Sequence, residues 1–255
     1  MLSVVIITKN EAHIIGNTLQ SLQGVSDDIV IVDSGSTDET IAICKKFNTT
    51  IIETSWDGYG ANKNKGIDAA KNDWILSLDA DEAIDTELKN ELIKLRFTGE
   101  NSVYKLNYHN FFCNKRIRFG VWGEDKHVRL FNRKKIKWNT AEVHESLHFP
   151  ADVKIILLKG NVLHYTVNSI TEYSNKTIAY AKANAKKYFL QGKKAGFIKL
   201  YLAPAFNFLQ HYIFRLGFLD GWEGYLICKT EAWYTFMKYV FLRELNNNKN
   251  KHELL

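Results

Sequence analysis

The chain has 255 residues, 45% of them hydrophobic and 24% charged, with only two prolines. These proportions exclude wholesale disorder and Pro-rich linkers. Its formal charge of +6 conceals a division: residues 1–100 carry nine Lys and Arg against seventeen Asp and Glu, and residues 101–255 carry twenty-five against eleven. Aromatic residues divide the same way, five before residue 101 and twenty-eight after it, so an acidic first part precedes a basic, aromatic-rich second part.

In chain order, Leu2–Thr8 is a β-branched run without a basic leader or cleavage site, and predicts a first strand and not a signal peptide. A helical pattern follows from Glu11 to Leu22, then a buried strand Asp28–Asp33, a Ser-Gly-Ser-Thr-Asp turn and a helix through Phe47. Thr50–Thr54 is a third strand, Ala61–Ala70 a helix, Trp74–Leu78 a fourth strand and Asp85–Arg96 another helix. Continuous apolar strands separated by amphipathic helices predict βαβ units, hence an α/β fold with a parallel sheet covered on both faces. From Val103 the pattern changes to strands at Val103–Phe112, Val128–Phe131, Ile155–Leu158 and Val162–Tyr165, which turn the sheet into a mixed one.

Ser169-x-x-Glu172 has the spacing of a capping box and predicts a helix to about Gln191, stopped by Gly192. The segment Phe197–Leu245 is rich in aromatics and helix formers. Its longest stretch free of formal charge, Leu200–Phe214, is 15 residues and includes Asn207, Gln210 and His211. A spanning helix needs ~20 apolar residues, so this segment predicts either a helix lying in a membrane interface or a helical hairpin packed on the domain or a second subunit. In the first case Arg215, Lys229, Lys238 and Arg243 would face headgroups. The three cysteines, Cys44, Cys113 and Cys228, are far apart, with no metal-ligand spacing, and fit a reducing compartment.

In open α/β sheets ligands bind outside the carboxyl ends of the strands. Those ends here are Thr8-Lys9-Asn10-Glu11, Asp33-Ser34-Gly35-Ser36 and Asp79-Ala80-Asp81-Glu82. So many carboxylates on one rim are costly unless a cation or ligand donors compensate them. Asp79-x-Asp81 directly after a strand suits Mg²⁺ or Mn²⁺, which take hard oxygen ligands and leave positions for diphosphate oxygens. The competing role for both aspartates is capping of the helix that begins near Asp85.

The stretches SVVIITKNEA, IVIVDSGSTDET, GANKNKGI and WILSLDADE resemble family 2 glycosyltransferases of the GT-A fold. WGEDKHVRLFNR and VHESL are similar to the subgroup that adds hexoses to the inner core of lipopolysaccharide, the core β-1,4-glucosyltransferase type. The resemblance covers about residues 1–165 and implies a Rossmann-like mixed sheet in a catalytic domain 1–165, with a nucleotide-sugar half (1–100) and an acceptor half (101–165). Residues 166–255 then form a helical extension. It implies that Thr8 and Glu11 line a nucleotide pocket, and that Asp33 accepts from the uracil N3–H. It further implies that Lys63 meets nucleotide or diphosphate where the family often has Arg, that Asp79 sits at ribose or metal, and that Asp81 holds the metal. Glu124-Asp125 matches the family's general-base position, with Asp125 assigned and Glu124 the alternative. His144 is the candidate third metal or diphosphate contact, oriented by Glu145, and His164 is the second choice.

These expectations add up to an inverting, metal-dependent transfer of a hexose, glucose by resemblance, from a UDP-sugar to a lipopolysaccharide-core-type glycolipid. The enzyme would sit in the cytoplasm, peripheral to an anionic membrane surface. A nucleotidyltransferase would carry a Gly-rich loop after the first strand, where TKNEA stands and no glycine precedes Gly16. A non-catalytic sugar-nucleotide-binding module remains the other alternative. Nucleic acid is not an expected partner, because no RNA- or DNA-binding motif occurs and the acidic rim would repel a phosphate backbone.

Overall fold

The computed structural model describes residues 1–97, 99, 101–139, 146–150 and 152–252. The chain forms two compact units: residues 1–109 with 125–164, and residues 110–124 with 165–255. The segment 110–124, which the sequence assigns to the catalytic domain, thus belongs with the helical C-terminal region.

The first unit opens with β1 (Leu2–Thr8), α1 (Ile15–Ser21), β2 (Asp28–Asp33), α2 (Thr40–Cys44), β3 (Thr50–Glu53), α3 (Tyr59–Ala69) and β4 (Trp74–Asp79). It continues through β5 (Glu82–Ile84), α4 (Thr86–Lys94) and β6 (Ser102–Phe112). After β7 (Lys115–Arg116) come β8 (Asp125–Asn132), β9 (Lys137–Trp138), β10 (Leu147–His148) and β11 (Lys154–Val167). The sheet order is β3-β2-β1-β4-β8-β6-β11-β5, with β7 paired to the end of β6. Strands β3, β2, β1 and β4 are parallel, and β8 then pairs antiparallel with both β4 and β6.

All seven residues of β1 are buried, as a central parallel strand requires. Val4 and Ile6 pack with Ile15, Leu19 and Leu22 beside α1 and with Leu88 and Leu92 of α4. Val5 faces the other way, into a cluster with Val30, Ile67, Phe131 and Trp138. Gly66 lets α3 lie on the sheet, because a Cβ there would come within 2.4 Å of Val5 Cγ1.

Three differences from the sequence expectation have local causes. The helix predicted from Glu11 starts only at Ile15, because Asn10 takes a positive φ of 55° and ties its side chain to the next loop. The strands predicted at 155–158 and 162–165 are one strand, β11. Gly160, with φ of 80°, passes within the strand and packs against the start of α4. Strand β5 has no sequence signature, being three residues that pair with Val162–His164 of β11.

The second unit contains the β6–β7 hairpin end and α5 (Ile170–Leu190), α6 (Ala203–Leu209) and α7 (Gly221–His252). Ser169 Oγ accepts from the Glu172 N–H at 3.1 Å, as the capping box predicts, and the Glu172 carboxylate takes the N–H of Asn168. Helix α6 is flanked by π-helical turns at Ile198–Leu202 and Gln210–Phe214. Buried Asp220 accepts the N–H groups of Arg118 and Phe119 and so holds the 115–119 turn to the start of α7. No helix among the described residues is long and apolar enough to cross a membrane.

Candidate active site

Parallel registry sets the rim. Thr8 lies beside Asp33, and Ile7 beside Asp79, so the ends of β2, β1 and β4 stand side by side. The loop after β1 and the loop after β2 are laced together. The Asn10 N–H donates to Ser36 Oγ, the Thr37 N–H to Asn10 Oδ1, the Glu11 N–H to Thr40 Oγ1 and the Ala12 N–H to Asp38 Oδ2. Asp33 is buried and accepts from the N–H groups of Gly35 and Ser36 and from the Ser36 hydroxyl. Its carboxylate therefore shapes the turn, whatever else it meets. The Thr8 hydroxyl is buried without a hydrogen-bond partner among the described residues.

Beyond β4 lies a dense ionic cluster. Lys63, on α3, is fully buried. Its Nζ lies 3.1 Å from Asp79 Oδ1 and 4.6 Å from the centre of the Trp138 ring. Arg129 Nη2 lies 3.3 Å from the other Asp79 oxygen and 3.1 Å from Glu82 Oε1. Burial alone would raise the Asp79 pKa, but Lys63 and Arg129 outweigh it and hold the carboxyl at about 2. Glu82, 1% exposed, also accepts the Asp79 N–H at 3.0 Å and the Tyr108 hydroxyl at 3.3 Å, and Arg129 Nε donates to that hydroxyl at 2.8 Å. Burial pushes the Tyr108 phenol up, so it stays a donor.

Alternation along β8 puts Asp125, His127 and Arg129 on one face. Asp125 pairs with Tyr108 of β6, and its carboxylate meets His127 Nε2 at 2.7 Å. The His127 ring stands edge-on to Tyr108, with centroids 4.9 Å apart. On the other side of Tyr108, His164 of β11 lies 3.5 Å from Asp81. Burial would lower the His164 pKa, but Asp81, with Glu82 and Asp79 behind it, raises it to about 9.

The structure thus gathers Lys63, Asp79, Asp81, Asp125, Arg129 and His164 into one region, and adds Glu82, Tyr108 and His127. Glu11 stands on the β1 loop, 3.8 Å from His13. Glu124 is exposed and belongs to the other unit. His144 and Glu145 lie outside the described residues, and the imidazole beside Asp81 is that of His164, the second choice from sequence. Capping of α4 is done by Asp85, which accepts the Leu88 N–H at 2.8 Å, so neither Asp79 nor Asp81 serves as its cap. The sequence signal for His127 and Arg129 was present in the i, i+2, i+4 spacing from Asp125. Nothing local marks Tyr108.

Residues 3–151 match the model of "Glycosyl transferase family 2". The chain belongs to glycosyltransferase family 2. It is 32% identical over 256 residues to an uncharacterized glycosyltransferase of Rickettsia prowazekii, covering 96% of this chain and 87% of that one. A second relative, the lipopolysaccharide core biosynthesis glycosyltransferase LpsC of Rhizobium meliloti, is 29% identical, covering 92% of this chain and 89% of that protein. Among solved structures, S. aureus TarS has a TM-score of 0.42 at 17% identity, covering 97% of this chain and 91% of that one. The family 2 enzyme described here has the GT-A-like mixed α/β sheet, followed by an aromatic-rich helical region.

Proposed function

We propose that this glycosyltransferase moves a hexose from a UDP-sugar to a hydroxyl of a lipopolysaccharide-core-type glycolipid, with inversion at the anomeric carbon. The observation that carries the reading is the rim itself: a carboxylate-rich set of strand ends in which two buried cations, Lys63 and Arg129, converge on Asp79. Buried cations at this strand end offset the rim's carboxylates, so that an anionic diphosphate meets less repulsion there. The likeness to LpsC over most of both chains supports a core-type acceptor, and glucose is favoured as the sugar by the resemblance to the core-glucosyltransferase subgroup alone.

In this reading Thr8, Glu11 and Asp33 bound the nucleotide, and Lys63 and Arg129 fix Asp79 so that its charge does not wander. Asp125 accepts the proton of the acceptor hydroxyl as that oxygen forms its bond to the anomeric carbon, and the bond to the UDP oxygen breaks with its electron pair. His127, in contact with the Asp125 carboxylate, holds it in place. The Asp81 carboxylate is a hard oxygen donor that fits Mn²⁺ or Mg²⁺, and an ion bound there would compete with the protonated His164 now paired with it. Such ions are commonly held by one or two carboxylates plus phosphate oxygens. Bound there, the ion would neutralise charge on the departing nucleoside diphosphate.

The test is UDP release from UDP-glucose, UDP-galactose, UDP-N-acetylglucosamine and GDP-mannose, each with Mn²⁺, Mg²⁺ or EDTA, with and without a truncated lipopolysaccharide acceptor. One UDP-sugar should turn over in a metal-dependent way. Asp81→Ala should abolish release, and Asp125→Asn should lower acceptor-dependent transfer by roughly 10²–10⁴-fold. Absence of turnover with every donor, together with no UDP binding by calorimetry, overturns the reading and favours a binding module.

A further inference from the structure

We infer that residues 197–222 form a docking surface for an anionic lipid bilayer, lying in the plane of the interface and not crossing it. Between Glu172 and Asp220 the chain holds seven lysines and one arginine, and not one Asp or Glu. Residues 197–222, which overlap the end of that acid-free stretch, hold twelve exposed large apolar side chains, more than half of those found in the described residues. Phe197, Phe206, Phe214 and Trp222 are 71%, 62%, 75% and 65% exposed. A single exposed apolar residue needs no explanation, but a contiguous set of this size marks an interaction surface.

The geometry is that of one helical face. Ile198, Leu202, Phe206, Leu209 and Ile213 follow one another at intervals of four, four, three and four residues, and all are exposed. Leu200, by contrast, is buried, and Phe208 and Tyr212 turn inward onto Tyr225 of α7. The helix therefore has a packed side and an uncovered apolar side, the second bordered by exposed Lys193, Lys194, Lys199 and Arg215.

The charge selects the occupant. A second copy of this chain would bring the same acid-free basic rim and meet it with repulsion. An anionic headgroup layer would complement it, while the apolar face enters the acyl boundary. Aromatic side chains of the kind exposed here are suited to that boundary, and the absence of a spanning helix agrees with in-plane seating.

The experiment is co-sedimentation of the full-length protein with vesicles of phosphatidylcholine alone or with ~30% phosphatidylglycerol, with NaCl varied, and it needs no sugar transfer. Binding to the anionic vesicles should exceed binding to neutral ones by at least roughly tenfold and should weaken with salt. Phe206→Glu with Phe214→Glu should cut binding at least roughly tenfold at an unchanged circular dichroism spectrum and Tm. Charge reversal of Lys193, Lys194 and Lys199 should abolish the preference for anionic lipid. Brominated acyl chains should quench a component of the tryptophan fluorescence that Trp222→Phe removes. Two results overturn the proposal: equal or no binding to both vesicles, or a stable dimer by light scattering that Phe206→Glu dissociates, since a second copy then covers the face.

Discussion

Asp79 shows how one residue's chemistry depends on its company. Lys63 and Arg129 hold its folded pKa at about 2, below the ordinary 3.8. A depressed carboxylate adds stability that is fully present above 3.8 and disappears as pH falls through 2. Asp79→Asn should therefore be less stable than the parent at pH 6, and the gap should narrow as pH falls from 4 to 2, as followed by urea unfolding at each pH. A gap that persists at pH 2 would show that the loss is one of packing and not of charge pairing. The same substitution removes the carboxylate oxygen that lies 3.1 Å from the buried Lys63 Nζ. Among the described residues, the Trp138 ring and the Asp79 carboxylate both face this buried cation.

At the scale of elements, the start of α4 is fixed twice. Asp85 caps the helix through Leu88 N–H and also accepts from Asn161 Nδ2 at 2.7 Å, while its own N–H donates to the Asn161 carbonyl. Asp85→Ala should cost about 1–2 kcal/mol, the usual range for a lost cap. Gly160 permits the contact between β11 and this helix start. It has a φ of 80°, and a Cβ there would stand 2.1 Å from Leu88 N. Gly160→Ala should thus be the more damaging change, because backbone has to move and the alanine is strained as well. Thermal unfolding of the two variants side by side checks the order. A milder effect for Gly160→Ala would mean that β11 and α4 can separate without loss of the sheet.

On the scale of the whole molecule, the two units answer acid in opposite directions. In the helical unit, burial raises the pKa of Glu231 above its ordinary 4.5, while the Tyr173 hydroxyl donates to it at 3.4 Å. A raised carboxyl pKa favours the neutral form, so its contribution is most favourable below 4.5 and fades as pH rises through the folded value. Acidification thus weakens the sheet unit through Asp79 and relieves the helical unit through Glu231. Glu231→Gln should raise Tm by about 2–4 °C near pH 7, the shift expected from ~1 kcal/mol in a chain of this size, and the gain should vanish below pH 4. A destabilised variant at pH 7 would show that the ionised carboxylate has a partner worth more than its burial.

The sequence by itself determined the local and periodic features. The runs at Leu2–Thr8 and Asp28–Asp33 were legible to the residue, because a strand buried on both faces is a continuous apolar string bounded by polar turn residues. The Ser169 cap was legible because capping is settled within four residues. The positions of Asp33, Asp79 and Asp81 at strand ends followed from those runs. What only the tertiary structure decided is the company each residue keeps. Tyr108, His127, Arg129 and His164 come from antiparallel strands whose registers are fixed by pairing across long stretches of chain, and Glu82 from a strand too short to leave a pattern. No local propensity encodes such pairing, because a strand's register is chosen by the partner it meets and by which face is buried. The acid-free helical stretch divides in the same way. Its composition is written in the sequence, but which side of it lies uncovered follows from packing against α7.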